Sequence, residues 1–168
     1  MKLALLFVLP GLIFAADQAK PLTEQAKRGQ EMFRNSPKGA CTTCHLMEGQ
    51  GTPVGPDLMK TAAALPPRAL AMAIKATMTV YVVEAKVKAG GNFPAMKSED
   101  GGTYWDLSQN PPVAKKFAKG EVADGANPGW KHPPSGYGYT NEQLADIISY
   151  LRSLAANDRK PIDPEDLQ

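Results

Sequence analysis

The sequence predicts a mainly α-helical domain that carries a small inserted antiparallel β-hairpin or sheet, and three stretches predict it. Near the C-terminus, Thr140-Asn141-Glu142-Gln143 has the Thr-x-x-Gln form of a capping box, and Leu144, Ile147, Ile148, Leu151 and Leu154 then recur at helical spacing. Glu24 to Phe33 is helical in composition, with Ala26, Gly29, Met32 and Phe33 able to share one face. Between these ends, Val80-Tyr81-Val82-Val83-Glu84-Ala85-Lys86-Val87-Lys88 is rich in β-branched residues and closes in apolar/basic alternation, which is strand chemistry.

The length of 168 residues suits one domain. Lys2, an almost wholly apolar run from Leu3 to Phe14, and small Ala15 and Ala16 before Asp17-Gln18 have the layout of a secretory signal over residues 1–16. The run is shorter than the roughly 18–20 residues a spanning helix needs, no Cys follows it for a lipid anchor, and no later segment is apolar enough to cross a membrane. An exported, periplasmic or otherwise extracytoplasmic protein is expected. Its domain would cover residues 17–160, with an insertion at about 79–129 and a polar tail at 161–168. Lys and Arg number 19 against 17 Asp and Glu, a balance that gives nucleic-acid binding no support.

In chain order, Ala19 to Thr23 reads as a disordered lead-in to the first helix. Gly29 inside that helix costs roughly 1 kcal/mol against Ala, a cost that close approach of another helix would justify. Asn35-Ser36-Pro37-Lys38-Gly39 ends the helix. A loop with Gly49, Gly51, Pro53, Gly55 and Pro56 follows residue 45; it cannot be a long regular element but can wrap a flat ligand. Pro66-Pro67 opens another helix, in which Leu70, Met72, Ile74 and Met78 supply apolar bulk. After the strand at 80–88, Gly90-Gly91 turns into a second strand from Phe93 to Lys97. Asp100-Gly101-Gly102 turns into a third, Thr103-Tyr104-Trp105-Asp106-Leu107. Ser108 to Gly129 reads as a polar connection with basic Lys115, Lys116 and Lys119. After Asn157 the tail carries Pro161 and Pro164 and is expected to be frayed or extended.

The chemistry is concentrated in Cys41-Thr42-Thr43-Cys44-His45, the spacing of covalent c-type haem attachment. On a turn of helix, residues three apart share a face and the next lies beside them. Cys41 and Cys44 would form thioethers to one haem c, with His45 as the proximal ligand. These are the only two Cys in the chain, and a disulfide between them would close a tiny loop of little stabilising value. Two readings without haem compete. A thiol–disulfide redox pair normally has a βαβ surround, absent before the motif. A structural zinc site needs four well-placed ligands, and adjacent Cys44 and His45 fit one tetrahedron awkwardly.

Taken together, the chain resembles a class I (mono-haem) cytochrome c. The resemblance lies in Gly29-x-x-x-Phe33, the Cys41-x-x-Cys44-His45 motif, Gly55-Pro56-Asp57-Leu58, and the last helix from Leu144 to Leu151. It implies a cytochrome c fold in which the first and last helices cross, with Gly29 and Phe33 meeting the face around Tyr150. It also implies that the Pro56 carbonyl accepts a hydrogen bond from the His45 ring. Most of the family takes its second axial ligand from a Met-Pro segment shortly before the final helix, and here that place reads Trp130-Lys131-His132-Pro133-Pro134. His132 is therefore the candidate distal ligand and Met96, close after Pro94, its rival. A thioether raises the haem potential relative to a second imidazole, so a His/His pair predicts the lower-potential carrier. The expected function is single-electron transfer between redox proteins. An acidic partner could be steered by Lys115, Lys116 and Lys119, with Lys86 and Lys88. A haem-based small-molecule sensor or enzyme, or a haem subunit of a larger oxidoreductase, is the alternative.

Overall fold

The computed structural model describes residues 20–36, 40–77 and 79–168. The expected leader at 1–16, the turn residues 37–39 and Met78 lie outside the described residues. The helices are α1 (Glu24–Asn35), α2 (Leu58–Ala64), α3 (Pro67–Lys75) and α4 (Asn141–Ala155). The strands are β1 (Val82–Val87), β2 (Asn92–Lys97), β3 (Thr103–Asp106), β4 (Val113–Lys116) and β5 (Val122–Gly125). They form one five-stranded antiparallel sheet in the order β4-β3-β2-β1-β5.

That sheet corrects the expected fold class, and with it the resemblance to class I cytochromes c as an account of this chain. The structure is not a mainly α cytochrome c fold with a minor β ornament; it joins a four-helix body to a sheet of five strands. The stretch from 108 to 129, expected as a polar connection, supplies β4 and β5. Both are edge strands. All four residues of β4 are exposed, so the alternation that marks a half-buried strand is missing there. Only pairing with β3 and β1 defines them, through Thr103↔Lys116 and Asp106↔Val113 on one side and Val87↔Val122 on the other. Charged residues on an exposed edge also discourage further pairing.

The helical body is organised by α1 on α4. The Thr23 hydroxyl caps α1 by accepting from the Ala26 N–H, and Thr140 with Gln143 closes a reciprocal capping box on α4. Gly29 sits where the helices meet: a Cβ there would stand 1.9 Å from the Asp146 carbonyl oxygen. Beside it Phe33 meets Tyr150 edge-on at 5.6 Å, and both are buried. Arg28 donates twice to the Asp146 carboxylate, both at 2.8 Å. The Tyr150 hydroxyl donates to Glu48 at 2.9 Å, tying α4 to the loop after residue 45.

The lead-in from residue 20 and the C-terminal tail both differ from expectation. The lead-in is held, with Leu22 packed on the core and the Lys20 carbonyl accepting from Arg159. The tail is held too. Ile162 and Leu167 are buried, and the Gln25 side chain pairs with both backbone groups of Ile162, at 2.8 and 2.9 Å. Two apolar residues among many polar ones carry no periodic signal, so their docking was invisible in the sequence. Met72, expected in a helix core or pocket, is 64% exposed, whereas Met47 is buried.

The sheet has its own small core of Ala85, Phe93, Ala95 and Tyr104, with Phe117 stacked over Phe93 at 6.4 Å. It joins the helical body through its two necks. His132 donates its backbone N–H to Thr77 at 3.2 Å, and Val82 closes back on Thr79 at 3.5 Å. The insertion thus leaves the body just after α3 and returns at His132.

Candidate functional site

Cys41–Thr43 form a single 3-10 turn, and the His45 N–H donates back to the Cys41 carbonyl at 2.9 Å. The Gly/Pro loop then folds over this turn. The N–H groups of Val54 and Gly55 donate to the Cys44 carbonyl at 3.1 and 2.6 Å, and Thr52 donates to the carbonyls of Thr42 and Thr43. Two glycines stand at close approaches in the wrap. Gly51 has φ +98°, and a Cβ on it would lie 2.3 Å from the His45 carbonyl oxygen. A Cβ on Gly55 would stand 2.4 Å from Cε1 of the His45 ring.

The His45 ring is anchored by its Nδ1, 2.9 Å from the Pro56 carbonyl oxygen. A carbonyl only accepts, so the proton is on Nδ1 and the lone pair of Nε2 is free. His132 lies across from it, with ring centres 6.5 Å apart and planes at 87°. The Ile74 carbonyl, at the end of α3, acts on its ring in the sense opposite to burial. The chain around it is braced by Ser135, whose N–H and hydroxyl donate to the His132 carbonyl at 3.0 and 2.7 Å.

Burial sets the protonation states. It pushes the Cys41 thiol up to about 11 and the Cys44 thiol upward. It holds both imidazoles below the usual histidine range; the Pro56 carbonyl opposes this at His45, while His45 itself adds to it at His132. At neutral pH the site therefore presents two neutral imidazoles, the form that binds metals, and two protonated thiols. Both cysteines are free. A raised thiol pKa opposes thiol–disulfide exchange, which needs thiolate. Tyr137 forms part of the same surround: burial, then the neighbouring Cys41 and Cys44, raise its phenol above the ordinary range.

These residues fit a haem. An imidazole nitrogen lies roughly 1.1 Å from its ring centre and about 2 Å from a bound metal, so two imidazoles on opposite sides of one ion have centres about 6.2 Å apart. The observed 6.5 Å matches that spacing. Among the described residues, no group of three or more His, Cys, Asp or Glu is arranged to hold a bare metal ion. A haem asks for less, since its porphyrin supplies four nitrogens and the protein only the two axial ones.

The structure thus brings together Cys41, Cys44, His45, Pro56 and His132. It places Met96 in the middle of the sheet, between Val82 on β1 and Trp105 on β3. The basic residues are spread over the sheet: Lys115 pairs with Asp106 at 2.8 Å and Lys86 with Glu84 at 3.3 Å, while Lys116 lies on the exposed edge strand. The carbonyl of Ile74 and the ring of Tyr137 enter the site unannounced. A backbone acceptor leaves no trace in residue type, and Tyr137 sits in a loop without periodicity.

No protein-family model matches the chain, and no curated protein matches it. No helix among the described residues is long and apolar enough to cross a membrane.

Proposed function

We propose that this protein is an exported carrier of single electrons that binds one haem c through thioethers from Cys41 and Cys44, with His45 and His132 as its axial ligands. The facing pair of imidazoles, 6.5 Å apart, with His45 tied through Nδ1 to the Pro56 carbonyl, carries the reading. The haem supplies the one-electron chemistry when bound. The protein's part is to hold it. The Pro56 carbonyl orients the His45 imidazole and raises its basicity. The wrap of Thr52 to Gly55 covers the attachment turn. A second imidazole in place of a thioether favours a low potential. Redox proteins are the proposed partners, met in brief encounters over a small, partly polar face.

The test is expression together with a haem-attachment system, followed by spectroscopy of the ferric protein. Haem colour should survive denaturation in the wild type and be lost from the Cys41→Ala, Cys44→Ala variant. The wild-type spectrum should be low-spin without a near-infrared sulfur-to-iron band, His132→Ala should turn it high-spin, and Met96→Leu should leave it unchanged. A sulfur band that survives His132→Ala and vanishes in Met96→Leu would sink the ligand assignment.

A further inference from the structure

We propose that the protein holds its two axial imidazoles with their planes at right angles, and that Gly55 is a positioning residue that sets the plane of His45; this rests on the haem reading above. Each ring is locked by a different part of the chain. His45 is held at Nδ1 by the Pro56 carbonyl and confined by the backbone at Gly55, where Cε1, Nδ1 and Nε2 would lie 2.4, 2.7 and 3.0 Å from an added Cβ. Only a residue without a side chain lets the ring occupy this orientation. His132 is held through its backbone, which is tied to Thr77 and Ser135. Two independent anchors leave the rings at 87°.

The angle has an electronic consequence. An imidazole donates π density to the iron d orbital that projects out of its own plane. Parallel rings act on the same orbital and split it from its partner, whereas perpendicular rings act on one orbital each and leave the two nearly equal in energy. Near-equal orbitals give a ferric low-spin centre with very large magnetic anisotropy. Positioning through carbonyl partners is the usual way a protein tunes a ligated group from outside. Here the same contacts also choose the angle.

Electron paramagnetic resonance of the frozen ferric holoprotein reads that angle directly. The expected spectrum has one dominant low-field feature. A resolved three-line rhombic low-spin spectrum overturns the proposal while leaving two-histidine ligation intact. A high-spin spectrum, or one accompanied by a sulfur-to-iron band, overturns the proposal together with the ligand assignment beneath it. In Gly55→Ala the added methyl turns the His45 ring, so the low-field feature should give way to the rhombic pattern while the optical spectrum stays low-spin. An unchanged resonance in that variant, or a variant that takes up no haem, overturns the role of Gly55; the wild-type spectrum tests the angle in either case.

Discussion

Replacing Gly29 with Ala tests the junction on which the helical body depends. The new Cβ would stand 1.9 Å from the Asp146 carbonyl oxygen, 2.4 Å from its carbon and 2.9 Å from the Ile147 nitrogen. Non-bonded atoms settle at about 3.5–4.0 Å, so the helices must part by roughly 1.5 Å. Every one of those neighbours is backbone and cannot turn aside. Overpacking of this kind costs about 1–3 kcal/mol. Parting α1 from α4 also strips contact from Phe33 and Ile147, each worth about 1.5–3 kcal/mol when fully buried. Against this, Ala gains about 1 kcal/mol in helix propensity. The net loss should be about 2–3 kcal/mol, a fall of about 8 °C in Tm for a chain of this size. Thermal and urea unfolding of Gly29→Ala measure it. Gly136→Ala, where a Cβ meets nothing within 4 Å, serves as the control and should change stability by less than about 0.5 kcal/mol. If Gly29→Ala proved as stable as the wild type, the propensity gain would have won and the close approach of α1 to α4 would be refuted.

Other perturbations follow from the same contacts. The Asp124 carboxylate accepts from the Tyr104 hydroxyl at 2.7 Å and from Lys97 at 2.9 Å, and these bonds hold it below the usual carboxylate range. Because its native pKa is depressed, its contribution is full above about pH 4 and is lost as pH falls through the native value. Asp124→Asn should flatten the acid limb of sheet stability, followed by near-ultraviolet circular dichroism. Thr140→Ala removes the cap of α4 and should cost about 1 kcal/mol in urea unfolding. Gln25→Ala severs both bonds to Ile162, so amide exchange at Ile162 should accelerate at least about tenfold, the equivalent of 1.4 kcal/mol of lost protection. Leu167→Ala, which empties a buried site, should cost about 2 kcal/mol or more.

The helices were legible because their signals are local. Thr140 and Gln143 state where α4 starts, and its apolar stripe states which face is buried. Glu24 to Phe33 announced α1, which runs on to Asn35. Val80 to Lys88 announced through β-branched chemistry the strand that the structure places at Val82–Val87, and Asp57, which caps α2 by accepting from the Met59 N–H, shows that even the unannounced helix has a local start signal. The sheet as a whole was not legible. β4 and β5 are short, polar and exposed, so nothing within them distinguishes a strand from a loop. The family resemblance failed at this point, since it rested on the two ends of the chain and passed over the block between them.

At the site the division is the same. The sequence by itself determined the cluster of Cys41, Cys44 and His45, because these are neighbours in the chain and a single turn of backbone brings them together. It also marked out His132 and Met96 as the residues able to complete such a site, since side-chain chemistry is written in residue type. Only tertiary structure decided which of them faces His45. A distance between residues 45 and 132 depends on how a sheet inserted between them leaves and rejoins the body, and no local rule contains that. Tertiary structure likewise supplied the Pro56 carbonyl that turns the His45 ring. Every residue but proline carries the same backbone groups, so where they point is a property of the fold alone.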